Sequence, residues 1–263
     1  MIQAIIFDLD NTLTDFMKMK RAAIDAAVDG MIDAGLKLSR AEISEKIYGV
    51  YDREGIEYQQ VFDLFLKEEL DRIDYKILTS AIVAYRRARD SYLVLYPHVN
   101  LTLMELAKRG LRLAVVSDAP RFQAWLRLAH LQLQHAFDPV IAFEDTGERK
   151  PSPKPFQRAL EMLGIGPDEA IMIGDWPERD VVGAKKMATF DDMELERKVT
   201  IYDKGFDEDT QSYGEYITRS GDIHSPRISN REPLRIECEH FIECIREGKT
   251  PRSDGAAGLR VVR

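Results

Sequence analysis

Three short apolar runs along the chain are each followed at once by polar residues. The runs are Ala4–Phe7, Leu113–Val116 and Ala170–Ile173. Continuous apolar runs of this length are typical of strands buried on both faces, as in a parallel sheet. Open parallel sheets bind ligands just beyond the carboxyl ends of their strands. The pattern therefore predicts an α/β fold with a ligand site where the three runs end.

Helical periodicity fills the interval between the first two runs. From Asp15 to Leu93, apolar positions recur at spacings of three and four, which is typical of amphipathic helices. A first helix is predicted to end at Gly35, and Ser39 with Glu42 has the capping-box pattern that begins a second helix. Two further helices are predicted over Tyr58–Leu70 and Ile77–Tyr92. Four helices between the first two strands predict a small separate lobe.

Strands and helices alternate after this lobe. Tyr96 precedes Pro97 and marks the return to the core, because a residue before proline favours extended geometry. Predicted helices at about Val99–Arg109, Phe122–Ala129 and Lys154–Leu163 alternate with predicted strands at Leu111–Val116, Val140–Ala142 and Ala170–Ile173. This alternation indicates a doubly wound, Rossmann-like core. We expect a core of residues 1–14 and 96–188, a helical lobe over 15–95, and an extension over 189–263.

The polar residues after the runs have the chemistry of phosphoryl transfer. That reaction needs an anionic nucleophile, an acid for the leaving oxygen, and positive groups around the phosphoryl oxygens. Asp8, at the end of the first run, is the candidate nucleophile and would form an aspartyl-phosphate. Asp10 would protonate the leaving oxygen and later accept a proton from water. Lys150 supplies a positive charge.

Groups from the same segments are candidates for binding the phosphate. The backbone amides of Leu9 and Asn11, with the Thr12 hydroxyl, are placed to line an anion nest. Ser117 and the amide of Asp118 follow the second strand and would hold a phosphoryl oxygen.

A metal ion completes this prediction. Two carboxylates and a dianionic substrate repel one another unless a cation lies between them. Mg²⁺ is the natural choice, because it is a hard divalent ion that binds oxygen ligands. The predicted ligands are Asp8, the carbonyl oxygen of Asp10, and Asp175, with water and a phosphate oxygen.

These motifs, in this order, resemble the haloacid dehalogenase superfamily of phosphohydrolases over residues 1–187. The family's four motifs are matched in turn by Asp8–Thr14, Ser117, Lys150 and Gly174–Asp180. The resemblance implies a phosphatase of the subfamily with a helical cap, whose closure would exclude water from the aspartyl-phosphate. It also implies that Asp180 is an outer-shell or metal-side carboxylate that orients Lys150.

Asp10 separates the reactions within this superfamily. By the resemblance, its dehalogenases lack a carboxylate acid at that position, so phosphoryl transfer is favoured over carbon–halogen cleavage. A phosphomutase stays open, because it would use the same groups.

Asn11 stands where the family usually has glycine, a mild change since asparagine tolerates left-handed backbone geometry. We expect a small phosphorylated metabolite as substrate, with Arg53, Tyr58 and Arg86 as candidate contacts, although such residues are more often ordinary surface.

The composition of the chain limits the classes of binding partner that are expected. The chain has 263 residues, 44% of them hydrophobic, and a net charge of −8, which argues against nucleic acid or an anionic membrane as the main partner. The apolar run before Asp8 is too short for a signal peptide or membrane span, so a cytoplasmic enzyme is expected. Cys238 and Cys244 lie six apart on a predicted helix, so neither a disulfide framework nor a zinc site is expected. His224 and His240 are isolated and are not expected to bind a metal.

The pattern changes near Met187. Residues 185–263 resemble the C-terminal end of the glucose–fructose oxidoreductase-like dehydrogenases. They lack that family's nicotinamide-binding glycine fingerprint and its catalytic lysine-proline segment, so no dehydrogenase activity is implied. Three explanations are open: an accidental junction, which we favour, a natural fusion, or a segment that gives the core a substitute strand and helix.

The physical consequence of this extension lies in one strand-forming segment. Lys198–Tyr202 favours β structure and either covers an edge of the core sheet or remains an exposed edge that promotes oligomerisation. A catalytically weak fusion whose tail mediates assembly is therefore the rival function.

Overall fold

A seven-stranded sheet forms the centre of the fold. A computed structural model describes residues 2–180, 187–190, 199–208 and 216–225 of the chain. The strands within them are β1 Ala4–Phe7, β2 Arg112–Val116, β3 Val140–Ile141, β4 Ala170–Ile173, β5 Met187–Phe190, β6 Val199–Glu208 and β7 Tyr216–His224. Their order across the sheet is β3-β2-β1-β4-β5-β6-β7. The three apolar runs thus become three neighbouring central strands.

The register of these central strands brings their ends to one level. β1 pairs in parallel with β2 on one side and β4 on the other, so that Phe7 lies beside Val115 and Ile173. All four residues of β1 are buried, as expected for a strand covered on both faces. The polar residues after β1, β2 and β4 therefore emerge at the same edge. The predicted α/β fold class with a parallel sheet is confirmed.

Helices cover the sheet and form an insertion. Four of them, α1 Phe16–Asp33, α2 Arg40–Glu54, α3 Val61–Leu70 and α4 Tyr75–Tyr92, lie between β1 and β2, and we call this insertion the lobe. The remaining helices are α5 Val99–Lys108, α6 Arg121–His130, α7 Phe143–Thr146, α8 Lys154–Leu163 and α9 Pro177–Asp180, with a 3₁₀ turn at Pro167–Glu169. The predicted helical insertion is confirmed. The short α7, α9 and 3₁₀ turn were not predicted, because three or four residues carry too little periodicity.

Alternate residues of β1 separate two apolar layers. Ile5 and Phe7 pack with Leu128 of α6, whereas Ile6 packs with Phe156 of α8 on the opposite face. The lobe has an apolar core of its own, in which Ile24, Met31, Ile43, Ile47, Phe65 and Leu66 are fully buried. The sheet is thus a middle layer between helices, as the α/β alternation predicts.

Beyond β4 the sheet continues with segments of a different pattern. β5 is parallel to β4, with Met172 beside Met187. β6 lies next to β5, and β7 pairs with β6 as an antiparallel hairpin. Of the predicted segment, residues 199–202 are described and begin β6, which lies beside β5 at this side of the core sheet, as in the edge-covering alternative. The hairpin partner β7 was not predicted.

Several predictions for the extension lie outside the described residues. These are the predicted late helix with Cys238, Cys244 and His240. His224 is described, at the exposed end of β7. None of the described helices combines the length and the apolar character that crossing a membrane requires. The cytoplasmic location stays a prediction.

The predicted capping box at the start of α2 is present and can be tested. The Ser39 side chain accepts a hydrogen bond from the Glu42 amide, and the Glu42 carboxylate accepts one from the Ser39 amide. Ser39→Ala is expected to lower the free energy of unfolding by about 1 kcal/mol, because helix donors lose their acceptor. Urea unfolding measures this change. Ser44→Ala, inside the same helix, is the control, and an equal loss there would contradict the capping explanation.

Candidate active site

A buried lysine holds two carboxylates together at the edge where the central strands end. Lys150 Nζ donates to Asp8 Oδ1 at 2.5 Å and to Asp180 Oδ1 at 2.6 Å. Asp8, Lys150 and Asp180 expose only 6%, 5% and 1% of their surfaces. Burial by itself would lower the pKa of Lys150, but the two carboxylates outweigh it and hold that pKa above its ordinary value. The lysine is therefore a fixed positive charge beside the candidate nucleophile.

Backbone contacts fix this arrangement. The amide of Asp8 donates to the carbonyl of Ile173 at 2.8 Å, which ties the end of β1 to the end of β4. The carboxylate of Asp118, just after β2, accepts the amide of Lys150 at 2.8 Å. Buried Ser117 accepts the amide of Ala119 at 3.2 Å, which leaves its hydroxyl hydrogen available for donation. Asp118 thus has a role that was not predicted: its side chain, rather than its amide, holds the backbone at Lys150.

A second pair of carboxylates meets at one hydroxyl. Thr12 Oγ1 lies 3.3 Å from Asp8 Oδ2 and 3.5 Å from Asp175 Oδ1. Burial, with the nearby Asp8 charge, raises the pKa of Asp175. Two carboxylates that share a neighbour and repel each other are the donors that a hard divalent cation would bridge. The predicted Mg²⁺ ligands Asp8 and Asp175 are therefore brought together.

Asp10 faces a different partner. Its Oδ2 accepts a hydrogen bond from Arg127 Nη1 at 2.8 Å, and the other terminal nitrogen of Arg127 binds Glu57 of the lobe. Its Oδ1 is buried and has no hydrogen-bond partner within the described part of the chain. Burial raises the pKa of Asp10 to about 7, although Arg127 lowers it while Asp8 and Glu57 raise it. Asp10 is thus a carboxyl group that can carry a proton near neutral pH.

The loop between these aspartates has a left-handed residue. Asn11 has φ +60°, the geometry that asparagine tolerates, and its side chain accepts the Met17 amide at the start of α1. The side chain of Leu9 is fully buried. The predicted anion nest uses the backbone amides of Leu9 and Asn11, rather than these side chains, together with the Thr12 hydroxyl, and it stays a prediction.

Comparisons with known proteins identify the family of this chain. Residues 2–187 match the family described as haloacid dehalogenase-like hydrolase. The chain belongs to the haloacid dehalogenase-like hydrolases. The prediction of an enzyme of this superfamily, a hydrolase of the phosphatase type, is thereby confirmed at the level of family and class. The match ends at residue 187, so the resemblance of residues 185–263 to oxidoreductases stays a prediction.

Individual relatives cover the same region. A glyceraldehyde 3-phosphate phosphatase from Methanopyrus kandleri is 35% identical over 71% of this chain and 81% of its own length. Another from Methanocaldococcus jannaschii is 35% identical over 71% of this chain and 82% of its own length. Among solved structures, a HAD phosphatase from Thermococcus onnurineus is 27% identical, with a TM-score of 0.52, over 68% of this chain and 80% of that chain.

Sequence reasoning missed two basic residues of this hydrolase. Arg127 and Lys20 are both buried, and each lies on the apolar face of its helix, among Ala124 and Leu128 in α6 and among Met19 and Ala23 in α1. A cation on an apolar helix face is the signal that was available, because buried charges are rare unless they have a partner or a function.

Of the candidate lobe contacts, Arg53 instead pairs with Glu68 at the surface. Tyr58 and Arg86 line a cavity.

Gly174 has a steric reason to be glycine in this hydrolase. A methyl group there would lie 2.1 Å from Oδ2 of Asp180, and Asp180 is held by Lys150 and by the Trp176 amide. Gly174→Ala is therefore expected to displace Asp180 and lower kcat for an aryl phosphate by about one to two orders of magnitude. Steady-state phosphate release measures the effect.

A matched glycine provides the control for this substitution. A methyl group at Gly166 would lie 3.8 Å from the Glu169 carboxylate, an ordinary van der Waals distance, so Gly166→Ala should retain wild-type turnover. Wild-type kcat in Gly174→Ala would contradict the requirement for a fixed Asp180.

Proposed function

We propose that this hydrolase cleaves the monoester of a small phosphorylated metabolite through an aspartyl-phosphate on Asp8, with Mg²⁺ as cofactor. The observation that carries the proposal is the buried Lys150 ammonium group between Asp8 and Asp180. A carboxylate in direct contact with a fixed positive charge suits an anionic nucleophile that must approach an anionic phosphate. The structural neighbours of Asp8 therefore support its role better than an isolated turn aspartate would.

In the first step, a carboxylate oxygen of Asp8 forms a bond to phosphorus while the bond from phosphorus to the ester oxygen breaks. The leaving oxygen receives a proton from Asp10. In the second step, water attacks the aspartyl-phosphate and gives its proton to Asp10, which restores the acid and releases phosphate. Lys150, Ser117 and the amides after β1 and β2 would bind the phosphoryl oxygens.

The surroundings of Asp10 suit a group that donates a proton in the first step and accepts one in the second. Burial raises its pKa to about 7, so its protonated and ionised forms are both accessible near neutral pH. Oδ2 is held by Arg127, while Oδ1 has no partner among the described residues. Arg127 orients the carboxyl group and leaves one oxygen for proton transfer.

The residues fit a magnesium ion without forming a cage of acidic side chains. Among the described residues, no three acidic, histidine or cysteine side chains converge on a common point. The proposed ligands are only two carboxylates, from Asp8 and Asp175, with the main-chain carbonyl of Asp10. Such a set relies on water and a phosphate oxygen for the remaining positions, as Mg²⁺ sites commonly do. The bound ion would neutralise charge on the phosphoryl oxygens.

The lobe takes the role of a cap in this proposal. The catalytic core would comprise residues 1–14 and 96–188, the cap residues 15–95, and the extension residues 189–263. Support comes from Glu57 of the lobe, which binds Arg127 next to the proposed acid. A closed cap would keep bulk water away from the aspartyl-phosphate.

The names of the relatives point to small substrates. A three-carbon phosphate ester is the first candidate by size, with glyceraldehyde 3-phosphate and other small metabolites to be compared. The rival role for the extension, in assembly, has no support beyond its place at the edge of the sheet.

Asp8→Asn tests the covalent mechanism. An amide is a poor nucleophile and carries no charge, so kcat for an aryl phosphate is expected to fall at least about a thousandfold. Phosphate release should also require Mg²⁺ in the wild type and return when Mg²⁺ is added after chelation. Trapping of acid-labile phosphate on the wild-type protein, and its absence in the variant, would identify the attachment site.

An exposed aspartate of the lobe supplies the control. Asp29→Asn, on the surface of the lobe, should leave turnover unchanged. Activity that persists in Asp8→Asn would overturn the aspartyl-phosphate, and activity that is unaffected by chelation would overturn the role of the metal. Transfer of the phosphate within a sugar phosphate, without release, would identify a mutase instead.

A further inference from the structure

A lysine is buried in the lobe without an ion-pair partner among the described residues. Lys20 of α1 exposes 4% of its surface, and its Nζ lies 4.3 Å from the ring centre of Tyr51 and 5.5 Å from that of Tyr85. Among the residues that the structure describes, it makes no ion pair or hydrogen bond. Aromatic faces compensate a buried ammonium group only in part, so the site favours an added anion.

Two adjoining cavities open onto this lysine. The smaller, of about 230 Å³, is lined by Lys20, Glu57 and Tyr85 of the lobe and by Gln123 and Arg127 of α6. The larger, of about 410 Å³, shares Lys20, Tyr85 and Gln123. The lysine therefore faces space that a small ligand can enter, at the boundary between the lobe and the core helix α6.

The charges around these cavities leave a positive excess. Within the described part of the chain, four cationic side chains line them (Lys20, Arg86, Arg89 and Arg127), against two carboxylates, Glu57 and Asp90. Both carboxylates already bind arginines, Glu57 to Arg127 and Asp90 to Arg89. The chain as a whole is acidic, with a net charge of −8. A local positive excess in such a chain favours an anionic ligand.

The position of Arg127 relates this space to the reaction. Arg127 lines the smaller cavity and donates to Asp10, the proposed acid for the leaving oxygen. Substrate atoms beyond that oxygen would therefore extend towards Lys20.

We propose that these cavities bind a second anionic group of the substrate, a carboxylate or a further phosphate, and that Lys20 determines this preference. The inference rests on the proposed phosphatase function and narrows its substrate class. The preferred substrates are then phosphate monoesters with an acidic tail, rather than those with a neutral hydroxyl or aldehyde tail. The phosphoryl group remains at Asp8, and Lys20 contacts only the far end of the molecule.

Matched substrates test this preference. 3-Phosphoglycerate and glycerol 3-phosphate share a three-carbon backbone and differ in a carboxylate against a hydroxymethyl group. The wild type is expected to have the higher kcat/KM for 3-phosphoglycerate. In Lys20→Met that selectivity ratio is expected to fall by about 10- to 100-fold, mainly through KM, as for loss of a charged hydrogen bond. Fructose 1,6-bisphosphate against fructose 6-phosphate distinguishes a phosphate tail from a carboxylate tail.

Two further variants control the comparison. Lys18→Met removes an exposed lysine from the same helix and should keep the wild-type ratio, whereas Lys20→Arg keeps the charge and should retain the preference in part. An unchanged kcat/KM ratio in Lys20→Met would overturn this inference. Turnover of an aryl phosphate would still support the proposed phosphatase activity in that case. If Lys20→Met does not fold, the kcat/KM ratio of the wild type tests the proposal. A wild type without a preference for the substrate with the acidic tail would reject it.

The outcomes also separate this inference from the proposed function. If the wild type hydrolyses no phosphate ester, the phosphatase proposal fails. Calorimetric titration with 3-phosphoglycerate and glycerol 3-phosphate then tests the cavities alone. Tighter binding of the acidic compound supports an anion site, and equal binding of the two rejects it.

The pH dependence of selectivity provides an independent readout. Burial lowers the pKa of Lys20 to about 8, with Glu57 raising it and Arg127 lowering it. The rings of Tyr51 and Tyr85 also face the lysine, and Arg89, Asp90 and His130 line the same smaller cavity. The kcat/KM ratio of the matched pair should therefore fall as pH rises through about 8 in the wild type. A ratio with the same pH profile in Lys20→Met would assign that change to another group.

Discussion

The ion pairs of Lys150 with Asp8 and Asp180 are the interaction on which the site depends. They join the end of β1, the segment after β4 and the loop after α7 in a buried place. Removal of one member of such a buried set leaves an uncompensated charge and typically costs about 3–5 kcal/mol. The proposed nucleophile and its supporting charges are thus fixed by folding, before any substrate arrives.

Two aspartates that lie two residues apart acquire different properties from their surroundings. Asp8 has an ammonium group in contact with one oxygen, whereas Asp10 is buried against Arg127 and its pKa rises to about 7. A carboxylate in contact with an ammonium group and a carboxyl group buried beside a guanidinium group suit the different roles of the proposed nucleophile and the proposed acid. The local sequence places both aspartates after β1, but Lys150 and Arg127, which are distant in the sequence, give the two carboxyl groups their different surroundings.

This difference explains how much could be predicted from the sequence. The apolar runs locate β1 and β4, so Asp8 and Asp175 follow from local pattern and from the geometry of parallel sheets. Lys150, which is 142 residues from Asp8, was identified by motif order and family resemblance, since no local pattern fixes such a contact. Arg127 binds Asp10 across 117 residues and was missed, because its contact depends on how α6 packs against the loop.

The same reasoning explains why specificity is harder to predict than chemistry. The phosphoryl site uses segments that the sheet holds at fixed positions, whereas the cavities beside Lys20 lie between the lobe and α6. Arg127 is common to both, because it orients the acid and lines the space beyond it. A substrate tail that binds there lies against the same arginine that positions the proton donor. In the proposed reaction, recognition of the tail and protonation of the leaving oxygen would be coupled through one guanidinium group, so a change in the lobe would alter both.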